Sequence, residues 1–180
     1  MIIVTGTPGV GKHTIAKILA KRLKLGLLDV NEIAFKYDAV IDKEDDTAII
    51  DVEKVRERIK EFDSNYIIVG HLAPYVVDDI DYAIVLRRSP YELEKIYSIR
   101  GYNDRKSRDN LASEILGIIA YDCIVRFGIE KIIEIDCTAS NIDDIVEEII
   151  RCINNRENKT GIDWLSLVAS NNDMKRFFDL

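Results

Sequence analysis

The chain reads Gly6-Thr7-Pro8-Gly9-Val10-Gly11-Lys12-His13-Thr14 directly after the apolar run Met1-Ile2-Ile3-Val4. Glycines at the first and sixth positions of this stretch, followed by a lysine, are typical of a phosphate-binding loop between a strand and a helix. The apolar run predicts the strand, and apolar residues at helical spacing predict a helix from Thr14 to Leu25. Glycines let backbone N–H groups face an anion, and a helix N-terminus adds partial positive charge. The sequence therefore predicts a site for the phosphates of ATP or ADP.

The residues of this loop have separate predicted roles. Lys12 is long enough to reach the β- and γ-phosphates, so we predict both binding and catalysis for it. Gly9, Gly11, His13 and Thr14 are the other loop residues predicted to bind nucleotide. His13 stands where Ser or Thr normally offers a hydroxyl to Mg²⁺, and Thr14 is the remaining candidate for the metal or for the α-phosphate. A glycine-rich turn that binds nothing is the alternative, but it gives the lysine no packing role.

Composition restricts the function further. The 180 residues suit one domain, and 47% hydrophobic residues suffice for a core. The net charge of −7 means that the chain as a whole does not attract nucleic acid, so contact with RNA would need a local basic patch. The three cysteines lack the spacing of metal ligands and predict reduced thiols in the cytosol. We expect neither a cleavable leader nor a membrane span.

Short apolar runs alternate with helical patterns along the chain. The predicted strands are 2–4, 25–28, 66–69, 82–86 and 132–136, and the predicted helices are 14–25, 31–37, 51–62, 91–99, 110–127 and 142–153. Strands that are apolar throughout indicate a parallel sheet covered on both faces. We therefore predict a three-layer α/β fold of the P-loop NTPase class with a five-stranded parallel sheet. The acid-rich stretch 38–47 is expected to form a mobile loop or a surface turn, and residues 154–180 a helical tail.

Polar side chains follow several predicted strands, at the sheet edge where ligands bind in such folds. His71 follows the third strand, where it could accept a proton from water or hold a phosphate oxygen; a histidine satisfied by a turn is the alternative. Arg87 and Arg88 follow the fourth strand, and paired arginines suit a transferring phosphoryl group, although surface charge would also explain them. Cys137-Thr138 follows the fifth strand. Convergence on one edge indicates a single site.

A basic segment from Arg100 to Arg108 lies between two predicted helices. Gly101 and Asn103 give this segment the flexibility of a turn. A basic, mobile connection near a phosphate site is typical of a lid that brings arginines to the transition state and excludes water. A solvated connection between helices is the alternative.

Several of these motifs together resemble one known family. They are Gly6 to Thr14, Gly70-His71, Val85-Leu86-Arg87, Arg100-Gly101-Tyr102-Asn103, and Asp109-Asn110-Leu111 with Glu114. The set is similar to that of the small adenylate kinase-like family that includes the coilin-interacting nuclear ATPase. The resemblance covers roughly residues 1–152, and the Arg-Gly-Tyr-Asn segment and the strand-end histidine are its most specific parts.

The resemblance implies a nucleoside monophosphate kinase fold, with a monophosphate-binding segment at about 29–52 and a lid at about 100–110. Arg100 would touch ATP and take part in catalysis, together with Arg87. Thr138 would lie near the adenine, and His71 would match the Walker B histidine of the family.

The sequence departs from the family's pattern in three places. His13 replaces a threonine, Val69 replaces an acidic residue that organises Mg²⁺, and Phe35 stands where an arginine for the acceptor phosphate is expected. Asp29 and Glu32 are the nearest carboxylates that could replace the missing acid. Capping the short helix after them is their alternative role.

The implied function is an ATP-dependent adenylate kinase that converts ATP and AMP to two ADP with Mg²⁺, with some ATP hydrolysis. Members of the family also act in maturation of the small ribosomal subunit, so a small-subunit ribosomal protein and rRNA are candidate partners beside AMP as the acceptor. The alternatives are a nucleotide-switched ribosome assembly factor and a degenerate nucleotide binder with little kinase turnover. We expect a cytoplasmic protein that does not associate with membranes.

Overall fold

Strands and helices alternate along the chain, of which the computed structural model describes residues 1–44 and 47–178. The strands are β1 (Ile2–Thr5), β2 (Gly26–Asp29), β3 (Val40–Glu44), β4 (Thr47–Ile50), β5 (Tyr66–Val69), β6 (Tyr82–Arg87) and β7 (Ile132–Asp136). The helices are α1 (Lys12–Leu23), α2 (Val30–Lys36), α3 (Val52–Ile59), α4 (Pro90–Ile99), α5 (Asp104–Ile115), α6 (Ile118–Phe127), α7 (Ile142–Asn155), α8 (Trp164–Ser170) and α9 (Met174–Phe177). No helix in the described ranges is long and apolar enough to cross a bilayer.

Five parallel strands form the central sheet, in the order β2-β5-β1-β6-β7. β1 lies in the middle, where Val4 pairs with Val69 of β5 on one side and with Ile84 of β6 on the other. The loop that follows β1 therefore leaves the sheet at the centre of its carboxyl edge. This arrangement confirms the predicted α/β fold and five-stranded parallel sheet.

Two apolar clusters cover the two faces of the sheet. Successive strand residues point to opposite faces, so Val4 belongs to one cluster and Ile3 to the other. The first cluster includes buried residues of α1 and α7, and the second includes buried residues of α3 and α6. The sheet is thus buried on both sides, which explains why its strands read as apolar throughout.

The predicted loop at 38–47 is wrong, because β3 and β4 pair as an antiparallel hairpin. Lys43 lies opposite Ala48 in the register of the pair. Val40 and the run Ala48-Ile49-Ile50 supply β-branched and apolar residues, and these favour strands more than the intervening acids favour a loop. Asp45 and Asp46, which the prediction included, lie outside the described residues.

The single helix predicted at 110–127 is also wrong, since α5 ends at Ile115 and α6 begins at Ile118. Gly117, with φ of 65°, forms the N-cap of α6 and turns the chain. α5 in turn begins earlier than predicted. The Asn103 side chain accepts a hydrogen bond from the backbone N–H of Lys106 at 2.7 Å and so caps α5. The predicted flexible segment at 100–108 is therefore a short turn followed by helix.

The C-terminal segment returns to the sheet and then packs beside α4 and α5. The Glu134 N–H donates to the Lys159 carbonyl at 2.7 Å, which adds a short parallel bridge to β7. Trp164 of α8 and Phe177 of α9 are buried, and the Phe177 ring meets Tyr91 of α4 edge-to-face at 5.4 Å. The segment is thus anchored at both of its ends.

Candidate active site

A cavity of about 770 Å³ lies at the carboxyl edge of the sheet. The phosphate-binding loop lines it with Gly9, Gly11, Lys12, His13 and Thr14, and His71 follows β5. One wall, which we call the hairpin wall, consists of Asn31, Phe35, Lys43, Ala48 and Ile49. A second wall, the α5 wall, consists of Arg100, Tyr102, Arg105, Lys106, Asp109 and Asn110. The structure thus brings together seven of the predicted site residues, namely the five of the loop with His71 and Arg100.

The phosphate-binding loop makes its turn through glycines. Gly6 has a φ of 136°, and a Cβ there would lie 2.3 Å from the Leu86 carbonyl oxygen, so a larger residue would push the loop off β6. Gly11 has a φ of 95°, forms the N-cap of α1 and has open space beside it. The positive end of α1 therefore faces the cavity without a side chain at its cap, as an anion site requires.

Lys12 is buried under the loop, with 6% of its surface exposed. Its ammonium donates to the Thr7 carbonyl at 3.3 Å. Burial, followed by repulsion from Arg100, lowers the pKa of Lys12 from 10.5 to about 8, while Asp29 and Glu114 oppose the shift. At neutral pH Lys12 is a poorly solvated cation, and a phosphate would supply the counter-charge it lacks.

His13 pairs with Asp29 across the mouth of the loop. His13 Nε2 lies 2.9 Å from Asp29 Oδ2. The other oxygen, Asp29 Oδ1, accepts from the Asn31 N–H at 2.8 Å and caps α2. Asp29 therefore has the capping role, and it also faces the phosphate-binding loop; its role as a replacement for the missing acid stays a prediction. Thr14 is exposed to the cavity one residue further along.

His71 lies next to Lys12 and His13 at the end of β5. Its carbonyl accepts from the Thr5 hydroxyl at 3.4 Å, which ties the turn to β1. Burial lowers the pKa of His71 from 6.5 to about 4, and the charges of Lys12 and His13 add to this effect. The imidazole is thus neutral at physiological pH and a weak base. This state suits hydrogen bonding to water or a phosphate oxygen better than proton abstraction.

The α5 wall begins at a sharp turn after α4. Arg100 is the C-cap of α4 and Gly101, with φ of 67°, reverses the chain. The Tyr102 ring stacks on Tyr97 at 5.1 Å between centroids, and the Lys106 ammonium lies 4.7 Å from the Tyr102 ring. These contacts fix the turn against α4 and leave Arg100 at the cavity.

The hairpin wall contains residues that the sequence reasoning missed. Lys43 and Ile49 reach the cavity only because β3 and β4 form a hairpin. The β-branched residues Val40-Ile41 and Ile49-Ile50 on either side of the acids are the signal that could have predicted the two strands. Phe35, 56% exposed, presents its ring to the cavity in the position where an arginine was expected.

Two predicted residues do not reach the cavity. Arg87 is only 3% exposed; its Nε donates to Glu114 at 2.8 Å and its Nη1 to Glu134 at 2.6 Å. The expectation that Arg87 faces the transferring group is therefore corrected, because its donors are engaged by two buried carboxylates. Thr138 accepts from the Ser89 N–H at 2.9 Å and is not part of the cavity lining. Its contact with adenine stays a prediction.

Residues 2–117 match a family described as "AAA domain". A protein of Methanocaldococcus jannaschii named "Putative adenylate kinase" is 36% identical over 169 residues, which are 91% of this chain and 92% of that protein. This chain belongs to the family of archaeal proteins named "Putative adenylate kinase". A protein of the same name from Archaeoglobus fulgidus is 34% identical over 172 residues, covering 92% of each chain.

Solved structures show the same fold at low identity. A shikimate kinase from Bacteroides thetaiotaomicron aligns with a TM-score of 0.56 at 16% identity, over 85% of this chain and 97% of that one. A gluconokinase from Sinorhizobium meliloti aligns with a TM-score of 0.54 at 16% identity, over 86% of this chain and 91% of that one. The family member described here therefore has the P-loop kinase fold.

Proposed function

We propose that this protein transfers the γ-phosphoryl group of ATP to AMP and forms two ADP. One observation carries the proposal. The cavity extends from Lys12 and the N-terminus of α1 to the hairpin wall, where Phe35 and Lys43 lie. The loop end suits the phosphates of a donor, and the hairpin wall leaves room for a second nucleotide. The name shared by the two archaeal relatives supports the same activity.

In this proposal each part of the cavity has a separate task. Lys12 and the loop amides hold the donor phosphates, and Arg100 neutralises charge that develops during transfer. Neutral His71 hydrogen-bonds a phosphate oxygen or a water. The segment at about 29–52 holds the acceptor, with the base against Phe35 and its phosphate near Lys43. The segment at about 100–110 acts as the lid that excludes water.

Mg²⁺ fits this site only as a companion of the nucleotide. Within residues 1–44 and 47–178, no cluster of three or more His, Cys, Asp or Glu side chains could hold a metal. Val69 occupies the usual acidic position, and His13 the usual hydroxyl position. Asp29 and the Thr14 hydroxyl remain as protein groups that could meet a metal bound mainly by phosphates. When present, Mg²⁺ would neutralise charge on the β- and γ-phosphates.

The test is ADP formation from ATP with and without AMP, followed by separation of the nucleotides. Transfer requires that ADP form at twice the rate of AMP loss, whereas hydrolysis releases phosphate and leaves AMP unchanged. Lys12→Ala should abolish both activities. Tight ADP binding without either activity would indicate the degenerate nucleotide binder instead.

We further propose slow ATP hydrolysis when AMP is absent and a role in maturation of the small ribosomal subunit in the cytoplasm. The support is the resemblance of Arg100-Gly101-Tyr102-Asn103 to the family that includes the coilin-interacting nuclear ATPase, and Arg100 and Tyr102 of this segment line the cavity. A small-subunit ribosomal protein and rRNA are the proposed partners. Capture of small-subunit proteins by the protein loaded with ATP, compared with ADP, tests this role; equal capture with both nucleotides would contradict a switch.

A further inference from the structure

Glu114 is the meeting point of a buried polar network behind the phosphate-binding loop. Its side chain is 1% exposed. Oε2 accepts from the Thr7 hydroxyl at 2.6 Å. Oε1 accepts from Arg87 Nε at 2.8 Å, from the Arg88 N–H at 3.1 Å and from Trp164 Nε1 at 3.1 Å. One carboxylate therefore joins four segments that are far apart in sequence: the loop, the end of β6, α5 and α8.

The network leads directly to the catalytic lysine. The Thr7 hydroxyl donates to Glu114, and the Thr7 carbonyl accepts from Lys12 Nζ at 3.3 Å. The side-chain bond fixes the orientation of the Thr7 peptide, and that peptide in turn holds the ammonium. Tyr97 supports the same part of the loop, because its hydroxyl donates to the Pro8 carbonyl at 2.6 Å.

The network also fixes α5 and the C-terminal segment. Glu114 lies near the end of α5, while Asp109 and Asn110, one turn earlier, line the cavity. Arg87 bridges Glu114 to Glu134, and Glu134 Oε2 accepts from the Gly161 N–H at 2.7 Å. The α5 wall, the loop and the start of the C-terminal segment thus share one anchor.

We infer that Glu114 is a positioning residue for phosphoryl transfer, which holds Lys12 in place through Thr7 and is itself held by Arg87 and Trp164. This inference rests on the proposed function. A buried ion pair is by itself a weak source of stability compared with apolar packing. The hydrogen bonds that run from Glu114 through Thr7 to Lys12 position the Lys12 ammonium, which apolar packing in place of Glu114 could not do. Through the hydrogen bond from Trp164 to Glu114, the C-terminal segment also helps to hold Lys12 in place.

Thr7→Val is the most direct test, since it keeps the shape of the side chain and removes only the hydroxyl that meets Glu114. We expect the rate of transfer from ATP to AMP to fall about tenfold, with a smaller change in the KM for ATP, as for loss of one hydrogen bond to a charged group. Thr7→Ser, which keeps the hydroxyl, should restore most of the rate. A Thr7→Val variant within about twofold of the parent in rate and in ADP affinity would overturn the inference.

Trp164→Phe tests the C-terminal arm, because it removes the Nε1–H donor and keeps most of the ring. Its effect on rate and on ADP affinity should be smaller in the Thr7→Val background than in the parent, since both bonds converge on one carboxylate. Tyr91→Phe is the matched control, because it removes a hydroxyl of α4 that donates to Asp173 of the C-terminal segment and not to Glu114. Fully additive effects of Thr7→Val and Trp164→Phe would contradict the network. ADP affinity from calorimetry needs no turnover, so an inactive parent would overturn the proposed function and leave this coupling measurable.

Discussion

His13 Nε2 and Asp29 Oδ2 lie 2.9 Å apart at the mouth of the phosphate-binding loop. In the usual loop this position holds a hydroxyl that meets Mg²⁺, and an acidic residue follows a neighbouring strand. Here the carboxylate at the end of β2 is engaged by an imidazole instead. The pair therefore places an imidazole in the usual hydroxyl position and engages the Asp29 carboxylate that a metal could otherwise meet.

His13→Thr should strengthen the dependence of ADP binding on Mg²⁺. The substitution supplies a hydroxyl and releases Asp29 from the imidazole, so the Mg²⁺ concentration for half-maximal stimulation of ADP binding should fall several-fold, roughly the effect of one added ligand group. Calorimetric titration at a series of Mg²⁺ concentrations measures this. Lys17→Thr, at an exposed position of α1, is the control and should leave the midpoint unchanged. Weaker ADP binding at every Mg²⁺ concentration would mean that His13 itself serves the nucleotide.

ADP affinity should fall as the pH rises above about 8. Lys12 has its pKa lowered to about 8, so its charge is present below that pH and is lost above it. The limiting loss is about tenfold per pH unit, until the pH passes the higher pKa that Lys12 has beside a bound phosphate. Calorimetry at a series of pH values below and above 8 measures this change in ADP affinity. Lys12→Met should bind weakly with little pH dependence; an equally steep decline in that variant would assign the titration to another group.

His71 should contribute to rate without acting as a general base. His71→Asn keeps a neutral hydrogen-bonding group, so it should retain more activity than His71→Ala, for which we expect a loss of about 10²-fold with ATP affinity little changed. Single-turnover rates and ATP affinity on one preparation separate the two effects. A rate for His71→Ala within about twofold of the parent would remove His71 from the catalytic residues.

His71 should also make the protein sensitive to acid. The pKa of about 4 in the fold lies below the usual 6.5, so the unfolded chain binds the extra proton first as the pH falls. The free energy of unfolding should therefore decrease as the pH falls from 6.5 to about 4, by at most about 3 kcal/mol from this group. Urea unfolding at pH 7 and pH 4.5 measures the loss, and His71→Asn should reduce it. If the free energy of unfolding of His71→Asn differs between the two pH values as much as that of the parent does, the lowered pKa of His71 is contradicted.

Lys43→Met should impair use of AMP more than use of ATP. Lys43 belongs to the hairpin wall, where we propose that the acceptor binds, so loss of its charge should raise the KM for AMP about tenfold and leave the KM for ATP nearly unchanged. The matched control is Lys36→Met, because Lys36 lies over the Tyr37 ring at 5.3 Å and is not part of the cavity lining. Equal effects of the two substitutions on AMP would argue against an acceptor site at the hairpin.

Local pattern predicted the sheet and the loop but not how distant segments meet. Apolar runs such as Ile67-Ile68-Val69 identify buried parallel strands by themselves, and the glycines with Lys12 identify the loop. The hairpin was missed because the acid-rich stretch reads as a loop, although Asp42 and Glu44 belong to β3 and pair with residues of β4. Arg87 was misassigned for a different reason. Its predicted position at the carboxyl end of β6 is correct, but the carboxylates of Glu114 and Glu134 that turn it inward lie 27 and 47 residues away.

The hydrogen bond from the Tyr97 hydroxyl to the Pro8 carbonyl, together with that from Thr7 to Glu114, has a thermodynamic consequence. Contacts within the chain already hold the loop in its turn, so its conformational entropy is lost on folding and not on binding. Nucleotide then binds the folded chain and not the unfolded one. At a free concentration 100 times its Kd, a nucleotide adds about 2.7 kcal/mol to the free energy of unfolding. Under the proposed function, the adenine nucleotide pool of the cell would thus stabilise the folded state of this protein, and its lifetime would follow the concentration of these nucleotides.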